Sequence, residues 1–138
     1  MKIIKKILSS LILLLYAQSS VGEIVVIGHR NVPKMDLITI KKIYMGKIIS
    51  LESIKLKPVN TKSGSTERNQ FLDVFIGKNE DKYTGYWTVR RYIGKGTPPN
   101  ELNNATEIID YVTSTAGAIG YIDSSLLTTK LNVIGRQK

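Results

Sequence analysis

The stretch NTKSGSTERNQFLDVFIGK (Asn60–Lys78) decides how the chain is read. Small hydroxyl residues and a glycine stand in front of a helical apolar pattern. Ser65 is a good N-cap, Phe71, Leu72, Phe75 and Ile76 form one stripe, and Gly77 ends it. Before it, IKLKPVN (Ile54–Asn60) alternates apolar and polar residues, with Pro58 near its end, which predicts a strand close to a sheet edge. The unit is therefore strand, loop, helix.

The same alternation of elements runs through the rest of the chain. EIVVIG (Glu23–Gly28) predicts a buried strand. Asp36 opens a helix with Met35 and Ile40 as its staple, Ile43 and Tyr44 on the same face, and Gly46 as its stop. A third helix spans Asp81–Gly94, with Tyr83, Tyr86, Trp87 and Ile93 toward the core, and GKGTPP is a turn. A fourth begins with the capping-box pair Asn104 and Glu107 and ends at Gly117; Ala118–Ile122 and Leu131–Ile134 are short strands. The class is α/β, with a small, mostly parallel sheet flanked by helices.

At 138 residues the chain suits one globular domain behind a targeting segment. Lys2, Lys5 and Lys6, the apolar run Ile7–Ala17 and the small residues of QSSVG have the layout of a secretory signal peptide. We therefore assign 1–22 as signal peptide, cleaved near Gly22–Glu23 or Ser19–Ser20, and 23–138 as an exported, periplasmic domain. The apolar run is shorter than the roughly 20 residues a spanning helix requires. Removing the three leader lysines lowers the formal charge from +9 to +6, still enough to favour an anionic ligand or surface. There is no cysteine and one histidine, which removes thiolate chemistry, disulfides, and histidine-rich metal or triad sites. Asp73, Glu80 and Asp81 read as surface and loop acids. The expectation is a non-enzyme without cofactor or metal.

The order of the pieces resembles a known family. IYMGK (Ile43–Lys47), PVN followed by SGSTERNQF (Pro58–Phe71), YWTVRRYIGKGTPP (Tyr86–Pro99) and AGAIGYI (Ala116–Ile122) are similar to landmarks of the small exported relatives of phosphate-binding proteins of ABC transporters. That resemblance covers Glu23 to about Ile134 and implies one lobe of the type II periplasmic-binding-protein fold. It departs in two ways. Larger phosphate receptors carry an arginine shortly before their Ser-Gly-Thr loop, where Val59 and Asn60 stand here, and they have two lobes.

Two readings of the opening stretch follow. In one, the loop is an anion nest: Gly64 lets the backbone approach, Ser63, Ser65 and Thr66 add hydroxyls, and Lys62 and Arg68 add charge at a helix start. In the other, Ser65 only caps a helix beside a solvated turn. Glu67 either repels an anion or accepts a hydrogen bond from protonated phosphate. His29, Arg30 and Asn31 follow the first strand, where open α/β sheets gather ligands, but the reading favoured for His29 is a loop residue meeting solvent. Tyr121 packs internally, and Arg90 and Arg91 beside Trp87 and Tyr92 are outward cations rather than a nucleic-acid platform. The functional expectation is a binding protein for phosphate or a similar oxyanion, working with an ABC permease or membrane sensor. The alternative is a one-lobe envelope interaction domain that has lost its ligand, and a homodimer that rebuilds a cleft lies between the two.

Overall fold

A computed structural model describes residues 22–137. The expected signal peptide lies, but for Gly22, outside the described residues. Strand β1 (Ile24–Gly28) is buried along its whole length. Helix α1 (Leu37–Tyr44) starts where Asp36 accepts the Thr39 N–H at 2.8 Å, and it buries Ile40, Ile43 and Tyr44. A two-residue hairpin follows: β2 (Ser50–Leu51) and β3 (Ile54–Lys55) turn at Glu52 and Ser53, both at positive φ.

The single strand expected over 54–60 is thus two. Leu56 is the break, its N–H bonded to Ile49 O, and β4 (Lys57–Thr61) then enters the main sheet. That sheet has the order β5-β4-β6-β1-β7, with β5 (Asn100–Leu102), β6 (Ala118–Asp123) and β7 (Asn132–Arg136). β4 pairs parallel with β5 and β6, while β1 pairs antiparallel with β6 and β7. Four strands therefore point one way and β1 alone points the other. Contrary to the sequence expectation, β4 is internal. Pro58 is tolerated because β5 pairs only from Val59 onward, so no ladder on that side needs its missing N–H.

Side chains of β1 alternate between two cores. Ile24 and Val26 face the cluster under α1, α2 (Thr66–Phe71) and α3 (Glu80–Tyr92); Val25 and Ile27 face α4 (Ala105–Ser114). With both faces covered, strands read as continuous β-branched runs rather than alternating ones. α2 continues as a π-helical segment, Leu72–Ile76, closed by Gly77 in the left-handed region, whose N–H reaches Leu72 O at 2.7 Å. Ile93, expected in the core, is 55% exposed, because α3 ends at Tyr92 and the chain turns outward. The Asn104 cap holds the Glu107 N–H at 3.0 Å, but the Glu107 carboxylate returns to the Asn103 N–H, one residue earlier than a standard capping box.

Gly120 in β6 lies under α4, and a Cβ there would stand 2.7 Å from the Ile108 side chain. Gly120→Ala is expected to cost about 1–3 kcal/mol through overpacking, read as a lower denaturation midpoint at unchanged m-value.

Candidate functional site

Below the serine loop, the end of β4 carries two buried polar residues, Asn60 and Thr61. Buried polar groups need partners, and two tyrosines, Tyr121 and Tyr83, supply them. Tyr121 Oη donates to Asn60 Oδ1 at 2.9 Å and accepts the Thr61 N–H at 3.1 Å. Asn60 Nδ2 donates to Tyr83 Oη at 3.2 Å, and Tyr83 Oη donates to Tyr44 O at 3.0 Å. Tyr44 Oη in turn donates to Val59 O at 2.9 Å. Burial pushes the Tyr121 hydroxyl up to about 12 and raises the Tyr44 hydroxyl well above the usual tyrosine value, so both remain donors. The Tyr121 ring stacks on Phe71 with centroids 3.9 Å apart, tying α2 to the strand below.

Above this floor the loop turns at Gly64 (φ 85°), where a Cβ would meet no atom within 4 Å, so glycine is needed for conformation and not for space. Ser65 Oγ accepts the Arg68 N–H at 3.2 Å and meets Thr61 Oγ1 at 2.9 Å. Arg68 is buried, at 4% exposure. Its Nε and Nη2 grip the Glu80 carboxylate at 2.8 and 2.7 Å, a two-point fork. Its Nη1 donates to Glu101 Oε1 at 2.7 Å and to Thr61 O at 3.3 Å. Burial works against the charge of Arg68, but the hydrogen bond and charge of Glu80, followed by Tyr121 and Glu101, outweigh it and hold its pKa above the usual arginine value. Ser63 Oγ and Thr84 Oγ1 both donate to Glu80, at 2.6 and 3.4 Å. Burial raises the Glu80 carboxyl, and the bonds from Ser63 and Arg68 reverse this to a net lowering.

Arg68 and its two carboxylates sit in an open recess of about 430 Å³. Ser63, Tyr83, Thr84, Trp87, Arg91 and the pair Pro98–Pro99 also line it. Of the six residues singled out in the sequence, Ser63 and Arg68 reach this recess. Lys62 is exposed and contributes its carbonyl to the Ser65 N–H; Gly64 faces open space; Ser65 caps; Thr66 opens the helix. Glu80, read as a surface acid, is the principal partner of Arg68. Glu101 stands on β5, a strand too short to be expected from the sequence, just after the Pro-Pro pair. Asn79 capping α3 was the only local signal for Glu80, since it places the acid in the first helical turn.

His29, Arg30 and Asn31 do not join the site. Because β1 runs against its neighbours, its carboxyl end (Gly28, opposite Ile119) lies at the far end of the sheet from Thr61. There Asn31 Oδ1 accepts the Gly117 N–H at 3.0 Å, and His29 Nδ1 lies 2.7 Å from the same oxygen, a loop-ordering arrangement. Among the described residues there is no cluster of metal-ligating side chains, and no helix is long and apolar enough to cross a membrane.

No protein-family model matches the chain, nor does any curated protein sequence. Solved structures do. A Clostridium perfringens protein described as a phosphate ABC transporter substrate-binding protein, with bound phosphate, superposes with TM-score 0.65 at 23% identity over 82% of this chain. An ABC-type phosphate transport receptor from Vibrio cholerae (0.63, 14%) and PstS from Borrelia burgdorferi (0.60, 16%) match over the same share. The chain has the fold of one lobe of a phosphate-receptor-type binding protein. It spans only 44–46% of the length of these three.

Glu80 has a folded-state pKa below its ordinary 4.5, so its contribution is complete above the unfolded value and is lost as pH falls through the folded one. Glu80→Gln is expected to cost about 1–3 kcal/mol at pH 7, by leaving a buried cation underpaired. Chemical denaturation between pH 7 and pH 3 should show a shallower acid loss in the variant than in the parent.

Proposed function

We propose that the chain is an exported, non-enzymatic binding protein whose Arg68 recess takes phosphate or a similar oxyanion, in the service of an ABC permease or membrane sensor. The observation that carries this reading is a buried guanidinium on the floor of an open recess, within a fold shared with phosphate receptors. Arginine stays charged when buried and has donors enough to keep Glu80 on one edge while Nη1 meets an oxyanion, and Arg91 adds a second cation at the recess wall. The chemistry of this reading is recognition without reaction, in line with a structural neighbour described as a substrate-binding protein.

A specific observation favours the second reading. Both edges of Arg68 already hold carboxylates, so an anion must displace one of them. On that ground the alternative is a one-lobe envelope interaction domain that keeps the fold without the ligand.

Titration calorimetry separates the two. Phosphate is expected to bind the parent in the millimolar range or tighter, which corresponds to about 4 kcal/mol or more. Arg68→Lys, which keeps the charge but cannot hold Glu80 and an anion on separate edges, should abolish the heat. Arg91→Gln, at an exposed position and therefore safe for folding, should weaken binding several-fold. Silence with both phosphate and sulfate in the folded parent overturns the oxyanion reading, and co-purification of an envelope partner insensitive to phosphate would then carry the alternative. Size-exclusion chromatography with and without phosphate tests pairing of two chains.

A further inference from the structure

We infer, building on the reading of Arg68 as an anion site, that the recess is shaped for an organic anion: one carboxylate or phosphate-monoester head on an apolar body, with Glu101 holding the place of the head. Three observations converge. The first is size. A recess of about 430 Å³ is in the range of small-molecule pockets, whereas inorganic phosphate has five heavy atoms and fills on the order of 100 Å³, judged against roughly 30 Å³ for a water. The second is lining. Pro98 and Pro99, both half-buried, offer apolar surface beside Arg68, while Tyr83 and Trp87 are buried with Oη and Nε1 both donating to Tyr44 O, and Ser63, Thr84, Thr88 and Arg91 form the polar part of the wall.

The third is the inequality of the two carboxylates. Glu80 is held at both oxygens by Arg68, is supported by Ser63 and Thr84, and has a side chain 27% exposed. Glu101 makes one bond, to Nη1, from a three-residue edge strand, and its side chain is 48% exposed. A half-exposed single contact is worth little, so Glu101 is the partner that yields. Once it swings into solvent, Arg68 presents one edge, Nη1, while Glu80 stays in place. One edge suits a single head group better than a small anion that must be surrounded. A carboxylate fits there as naturally as a phosphate, because a carboxylate already occupies it.

The test compares inorganic phosphate, phenyl phosphate and benzoate by calorimetry on the parent, Glu101→Gln and Thr88→Trp. Thr88 is an exposed α3 residue on the recess wall whose hydroxyl is bonded within the helix to Thr84 O, so the bulkier side chain narrows the recess without touching Arg68. Phenyl phosphate is expected to bind at least about tenfold more tightly than phosphate, the gain from burying a ring. Glu101→Gln should tighten both phenyl phosphate and benzoate about tenfold, and Thr88→Trp should erase the advantage of phenyl phosphate while leaving phosphate unchanged. Phosphate binding with no gain for either aromatic anion overturns this inference and leaves the oxyanion reading standing. Equal affinities in the parent and Glu101→Gln overturn the placeholder role. No binding of any of the three, in the parent or in Glu101→Gln, removes both.

Discussion

A full positive charge held at 4% exposure organises this end of the molecule. An isolated buried cation costs several kcal/mol, so Arg68 requires partners from wherever the fold can deliver them. They come from three places: Thr61 O at the end of β4, Glu80 at the start of α3, and Glu101 on β5. Those contacts join segments up to 33 residues apart. The same guanidinium packs 5.6 Å from the centre of the Tyr83 ring, so the cation also caps the tyrosine network beneath it. Recess and core are thus one construction: the hydroxyls of Tyr121 and Tyr83 satisfy Asn60 and Thr61, and Arg68 closes the layer above.

A second constraint is the reversed direction of β1. It places the loops of β4 and β6 at one end of the sheet and the His29–Asn31 loop at the other. The two ends consequently do different things. At one, an arginine and two carboxylates face an open recess; at the other, Asn31 and Asn132 stitch loops to the sheet, the latter donating to His29 O and Val32 O at 3.1 and 3.0 Å. The proposed recess lies at the end where carboxyl termini of parallel strands meet.

Most of the local structure was legible in the amino-acid sequence because its causes are local. Asp36, Ser65 and Asn104 cap their helices through bonds to residues three positions on, and Gly77 ends a helix by a conformation that glycine adopts without strain. Short apolar runs marked the buried strands β1 and β6 for the same reason. The α/β class and the resemblance to a phosphate-receptor lobe followed from the order of those elements. Ser63 and Arg68 were likewise within reach, since loop chemistry and a nearby cation are visible in a few residues.

What lay beyond the sequence was every feature set by distant partners. The break at Leu56, the internal position of β4 and the existence of β5 depend on which strands pair, and a three-residue strand has too little pattern of its own to announce itself. The occupation of Arg68 by Glu80 and Glu101 depends on folding that brings positions 68, 80 and 101 to one point. By itself the sequence determined the helices, the buried strands, most of the caps and the presence of an arginine beside a serine-rich loop. Only the tertiary structure decided whose charges that arginine meets, because electrostatic partnership is a matter of ångströms in space and not of neighbours along the chain.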